Sequence, residues 1–137
     1  MVVPIDEDSG FTFSWIDDNR ILLITTTSVA REAVDRYAAF ARNILNSWSA
    51  EKPLLCMHLF APELTVTPYL REQGEKLLSI NRADIKGKLA IVTTNPVAST
   101  IFDLSFRSNS NMIPNLERRV FANRDSAYAW LVGNPNS

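Results

Sequence analysis

Apolar and polar residues alternate along Phe11–Ile16 as Phe-Thr-Phe-Ser-Trp-Ile, the two-residue period of a strand with one wet face. Beyond the turn-prone Asp17-Asp18-Asn19, residues 20 to 26 form a denser apolar run suited to burial on both faces. The pair predicts a hairpin whose first strand lies antiparallel at the edge of a mainly parallel sheet. Its aromatics Phe11, Phe13 and Trp15 are read as the inward face. From Ser28, read as an N-cap, the period lengthens. Ala30, Ala33, Val34, Tyr37, Ala38, Ala41, Ile44, Leu45 and Trp48 recur in helical steps, with Arg31, Glu32, Asp35, Arg36 and Arg42 on the wet side. Tyr37 and Trp48 fall in the apolar stripe and read as core or shielding residues.

Lys52-Pro53 leads into the short apolar run Leu54–Phe60, a central parallel strand with His58 near its carboxyl end, which implies a right-handed βαβ crossover. Thr67-Pro68 is a helix start, threonine capping and proline in the first turn, for a helix expected to reach about Ala83. Gly74 sits inside that helix, where glycine costs about 1 kcal/mol relative to alanine. Close approach of another backbone is the expected compensation. Lys86-Gly87 turns the chain into a fourth strand over residues 88 to 94, and Asn95-Pro96 repeats the cap-and-proline start for a helix through Ile101, Phe102 and Phe106. Residues 107 to 117 are polar and irregular. They read as the most mobile connection, tethered through Met112, Ile113 and Leu116.

The chain then closes on Glu-Arg-Arg-Val-Phe-Ala-Asn-Arg-Asp-Ser-Ala-Tyr-Ala-Trp-Leu-Val-Gly, residues 117 to 133. Val120 and Phe121 are strand formers, Asn123 an N-cap, Asp125 suited to a positive helix start, and Gly133 a helix end. Ala127, Trp130 and Leu131 make a stripe that seals the last helix onto the sheet, so truncating Trp130 is expected to cost about 3 to 5 kcal/mol.

This element order, with its final cassette, resembles the SpoIIAA-like family, relatives of STAS domains. That family ends in a Val-Phe strand and a helix closing Ala-x-x-Trp-Leu, matched here by Val120-Phe121 and by Ala127, Trp130 and Leu131. The resemblance implies a (βα)n superhelix: a mostly parallel five-stranded sheet with an antiparallel first strand and about four helices, packed mainly on one face. In anti-sigma-factor antagonists of the wider group, a serine at the start of the helix after the third strand is phosphorylated to break partner binding. Here that stretch is Phe-Ala-Pro-Glu-Leu-Thr-Val-Thr-Pro, residues 60 to 68, and offers only Thr65 and Thr67. Thr67 is more simply a cap.

At 137 residues, 46% hydrophobic and 21% charged, the chain fits one globular domain over residues 10 to 133, between flexible segments 1 to 9 and 134 to 137. A net charge of −1 with no basic run gives no electrostatic footprint for nucleic acid. The apolar runs fall far short of the roughly 20 residues of a membrane span. The acidic start, Met-Val-Val-Pro-Ile-Asp-Glu-Asp, is unlike a secretory leader, so a cytoplasmic location is expected.

Candidate chemistry is sparse. Four glycines build no phosphate-cradling loop, one histidine builds no multi-histidine zinc site, and no cofactor, metal or catalytic constellation is expected. The single Cys56 reads as a buried apolar filler; as same-face strand neighbours, Cys56 and His58 stand about 7 Å apart, too far for nucleophile and base. What remains is a polar rim at the strand carboxyl ends and the loop before the second helix: Thr26, His58, Thr65, Thr67, Thr94 and Asn95. There His58 would be the only group titrating near neutrality. Helix capping explains most of these groups. The leading expectation is a non-enzymatic regulatory domain meeting a protein partner, including a second copy through the edge strand. The alternative is a carrier or sensor of a small apolar ligand in a cavity like that of CRAL-TRIO domains, near Phe60, Phe102 and Phe106.

Overall fold

A computed structural model describes residues 10–108 and 113–133. Five strands, β1 (Phe11–Ile16), β2 (Ile21–Thr26), β3 (Leu54–Phe60), β4 (Gly87–Val92) and β5 (Leu116–Phe121), form one sheet in the spatial order β1-β2-β3-β4-β5. β1 pairs antiparallel with β2 and every other pairing is parallel. The hairpin turn is tight: Asp17, Asp18 and Asn19 all take positive φ, the conformation that Asp and Asn tolerate best among side-chain-bearing residues. Helices α1 (Arg31–Ser47), α2 (Pro68–Leu78) and α3 (Pro96–Ser108) follow β2, β3 and β4, and α4 (Arg124–Leu131) follows β5. The expected mixed α/β sheet with four helices is the observed fold. The segments 1–9 and 134–137, and Met112 of the expected tether, lie outside the described residues.

Alternation along the strands divides the sheet into two faces. On β3, Leu54, Cys56, His58 and Phe60 point to one side, where α1, α2 and α3 lie. Three connections of one hand, stepping one way along the sheet, must put their helices on one face. Phe11, Phe13 and Trp15 of β1 point the same way. Phe13 stacks on Phe40 at 4.0 Å between ring centroids and Trp15 on Trp48 at 5.9 Å, so the hairpin aromatics do face inward. Tyr69 donates a hydrogen bond to Asp35, and the Arg31 guanidinium lies 4.4 Å over the Tyr69 ring, joining α1 to α2.

Met57 points to the opposite face, where, among the described residues, α4 alone is laid down over Ile21, Met57, Ala90 and Val92. Ala127 and Leu131 of α4 are buried there, at 0% and 2% exposure. Trp130 is only partly buried. It leans on Phe121 at 5.5 Å, with the Lys88 ammonium 5.2 Å over its ring, and so packs at the margin of the buried cluster rather than within it. Lys88 Nζ also donates to the Trp130 carbonyl at 2.9 Å, placing a cation at the negative end of α4.

Several helix ends differ from the sequence reading. Ser28 does not cap α1: its Oγ accepts from Ala30 N at 3.1 Å in a turn, and α1 begins at Arg31 behind an uncapped Ala30. α2 stops at Leu78, five residues before the expected end. Ser79 Oγ donates to the Lys76 carbonyl, and the chain turns to bury Ile85 with Leu45, Leu54 and Leu77. Arg82, on that turn, donates to the Leu45 and Trp48 carbonyls at 2.8 and 2.7 Å, partnering the open end of α1. Gly87, at φ 153°, starts β4 where a Cβ would come within 1.9 Å of the Leu54 carbonyl oxygen. No other residue fits there.

Candidate functional site

Between the sheet and its three-helix cover the side chains do not fill the space. A cavity of about 140 Å³ remains. Its floor is the sheet, Leu22 and Ile24 of β2, Cys56, His58 and Phe60 of β3, and Leu89 and Ile91 of β4. Its roof is Tyr37, Ala41 and Ile44 of α1, Leu70, Gly74 and Leu77 of α2, and Phe102 and Phe106 of α3. Rings dominate one side. Tyr37 meets His58 at 4.9 Å between centroids, His58 stacks on Phe60 at 4.2 Å, Phe60 meets Phe102 at 5.0 Å, and Phe102 meets Phe106 at 6.3 Å. The three phenylalanines named from the sequence as pocket walls therefore all line it.

Polar groups on the wall are few and uncharged inside. His58, 2% exposed, faces Thr26, with Thr26 Oγ1 and His58 Nε2 2.7 Å apart. Burial pulls the His58 pKa down to about 3, so the ring is neutral at physiological pH. This corrects two expectations: Thr26 and His58 sit inside the domain rather than on a rim, and His58 does not titrate near neutrality. Burial likewise pushes the Cys56 thiol up to about 12 and raises the Tyr37 phenol. A protonated, enclosed thiol is a poor nucleophile, in keeping with a filler role.

Cavity and surface meet at Arg71. Its side chain, 56% exposed, lines the cavity and also an outer groove whose walls are Val66, Thr67, Pro68, Glu72, Glu75 and Ile101. Arg71 Nε contacts Glu75 Oε1 at 3.3 Å, and Lys76 reaches Glu72 at 3.5 Å. Exposed pairs of this spacing are weak and exchange readily.

The other rim residues serve the backbone. Thr67 Oγ1 accepts from Leu70 N at 3.1 Å and caps α2. Asn95 Oδ1 accepts from Val97 N and Ala98 N, capping α3, while its Nδ2 donates to the Leu64 carbonyl. Thr65 and Thr94 are exposed on the loops. So the six residues do not form one site: Thr26 and His58 pair in the interior, Thr67 and Asn95 cap helices, and Thr65 and Thr94 face solvent.

Arg71 and Gly74 escaped the sequence reading as wall residues. Gly74 was the available signal. A Cβ added there would meet nothing within 4 Å, and its φ is not one that favours glycine, so neither close packing nor backbone conformation requires it. The expected backbone neighbour is empty space. Among the described residues, no group of three or more His, Cys, Asp and Glu side chains could hold a metal ion, and no helix is long and apolar enough to cross a membrane. No family model, curated protein or solved structure matches the chain.

Proposed function

We propose that this protein is a non-enzymatic binder of a small apolar molecule, held between the sheet and helices α1 to α3. The observation that carries this reading is the cavity itself, about 140 Å³ with walls almost wholly apolar. An engineered cavity of about 150 Å³, lined by aliphatic and aromatic side chains, stays dry and takes up benzene. Water gains little in such a space because a bound water needs two to four polar partners. An apolar guest recovers the contacts that the void forfeits. The element order supports a SpoIIAA-like scaffold for this role, with a regulatory output through a protein partner as the wider reading.

Thermal unfolding in the presence of benzene tests the proposal. A guest that binds only the folded state stabilises it by about 2.7 kcal/mol at one hundred times its dissociation constant. The expected result is a melting temperature that rises with benzene concentration by several degrees. No rise, together with no apolar species retained in native mass spectra of the freshly purified protein, would remove the proposal.

A further inference from the structure

Three features of the cavity restrict the chemistry of its guest beyond apolarity, and the inference drawn from them rests on the binding reading above. The first is size, since about 140 Å³ is close to the volume of an engineered cavity that takes up benzene, one six-membered ring. The second is the wall. Tyr37, Phe60, Phe102 and Phe106, with the neutral His58 ring, present edges and faces to a guest, and ring pairs gain from such offset and edge-on contacts beyond the area they bury. The third is charge. The interior wall carries no ionised group, so a charged part of the guest must lie at the mouth. There, among the described residues, Arg71 is the single charged side chain shared by cavity and outer groove.

We infer that the guest is a monocyclic aromatic acid, its ring in the cavity and its carboxylate on the Arg71 guanidinium at the mouth. The planar fork of arginine donates two parallel hydrogen bonds to a carboxylate, a stronger arrangement than its contact to Glu75 through Nε at 3.3 Å. Glu75 then competes with the guest for Arg71. Glu72 faces the groove as well but is drawn toward Lys76. Gly74, one turn along α2 from Leu70 and bare of a side chain, leaves open the space beside Arg71 through which a ring passes between α2 and α3.

Isothermal titration of the full chain with phenylacetate, its neutral isostere phenylacetamide, and benzene tests this. A carboxylate on an exposed guanidinium is worth at most about 1 kcal/mol, so phenylacetate is expected to bind about threefold more tightly than phenylacetamide. Arg71→Gln should erase that preference. Glu75→Gln should strengthen phenylacetate binding and leave phenylacetamide unaffected. Gly74→Leu should abolish binding of all three while the melting temperature is maintained. If benzene and phenylacetamide bind but phenylacetate binds no better, or if Arg71→Gln keeps the preference, the aromatic-acid inference is overturned and the apolar binding site stands. If none of the three binds the wild-type chain, the binding site itself falls.

Discussion

The two faces of one sheet are covered in opposite ways. Under α4, small and large residues interlock: Ala90 and Ala127, both fully buried, let the helix sit close, and Ile21, Met57 and Leu131 fill what remains. Under α1, α2 and α3 the side chains are larger and fit less well. Rings from β1, β3, α1 and α3 meet between the layers, and a void is left beside them. Bulky side chains on both layers set the separation, and small ones in the middle, Ala41 and Gly74, do not reach across it. The contrast teaches that burial and packing are separate properties. Both faces bury their side chains, yet the cavity lies on the side of α1, α2 and α3.

The largest expected effect lies on the full face. Met57→Ala removes a side chain with 0% exposure from a region with no room to collapse, and should cost about 3 kcal/mol in chemical denaturation. A loss under about 1 kcal/mol would mean that α4 is as loosely seated as the other cover. Overfilling is the complementary break. Ala127→Leu forces a larger side chain against Ile21 and Met57 and should cost about 2 kcal/mol. If it were neutral or stabilising, a second void would have to exist beneath α4.

The cavity face carries a pH signature that the other lacks. His58 has a folded pKa lowered to about 3 from its ordinary 6.5 by burial, so the unfolded chain takes up the proton first as pH falls. Stability from this group is therefore complete above pH ~6.5 and is lost as pH falls toward 3. The slope approaches about 1.4 kcal/mol per pH unit, or about 2 kcal/mol by pH 5. His58→Phe should flatten this dependence. Parallel pH profiles for the two proteins would show that water already reaches His58.

How much of this was legible in the sequence follows from the range of the forces involved. Period and capping are local, so all nine elements, the inward hairpin aromatics, and the Thr67, Asn95 and Asn123 caps could be read from neighbouring residues. Helix ends set by distant partners could not. Arg82 reaches Leu45 across 37 residues, and Ile85 draws the chain off the line of α2. The placement of His58 failed for a related reason: strand position says which way a side chain points, not how deep the covering layer is. A cavity is harder still, because residues record the atoms present and a void is the misfit among elements far apart in the chain. Only a glycine without a conformational reason hinted at it.

That glycine supplies the smallest effect and the sharpest contrast of sign. Alanine in a helix interior is favoured over glycine by about 1 kcal/mol, and the usual counterweight, a neighbour in the path of the new methyl, is missing at Gly74, where no atom beyond the local helix backbone stands within 4 Å. Gly74→Ala should therefore stabilise the protein by about 1 kcal/mol, measured by denaturant titration of the ligand-free chain. The same kind of change, one small residue enlarged in a helix facing the sheet, is expected to weaken the protein at Ala127. Opposite signs at the two positions follow only if free space lies under α2 and none under α4. A destabilised Gly74→Ala protein would show that the helices close over the cavity in solution, and the difference between the faces would vanish.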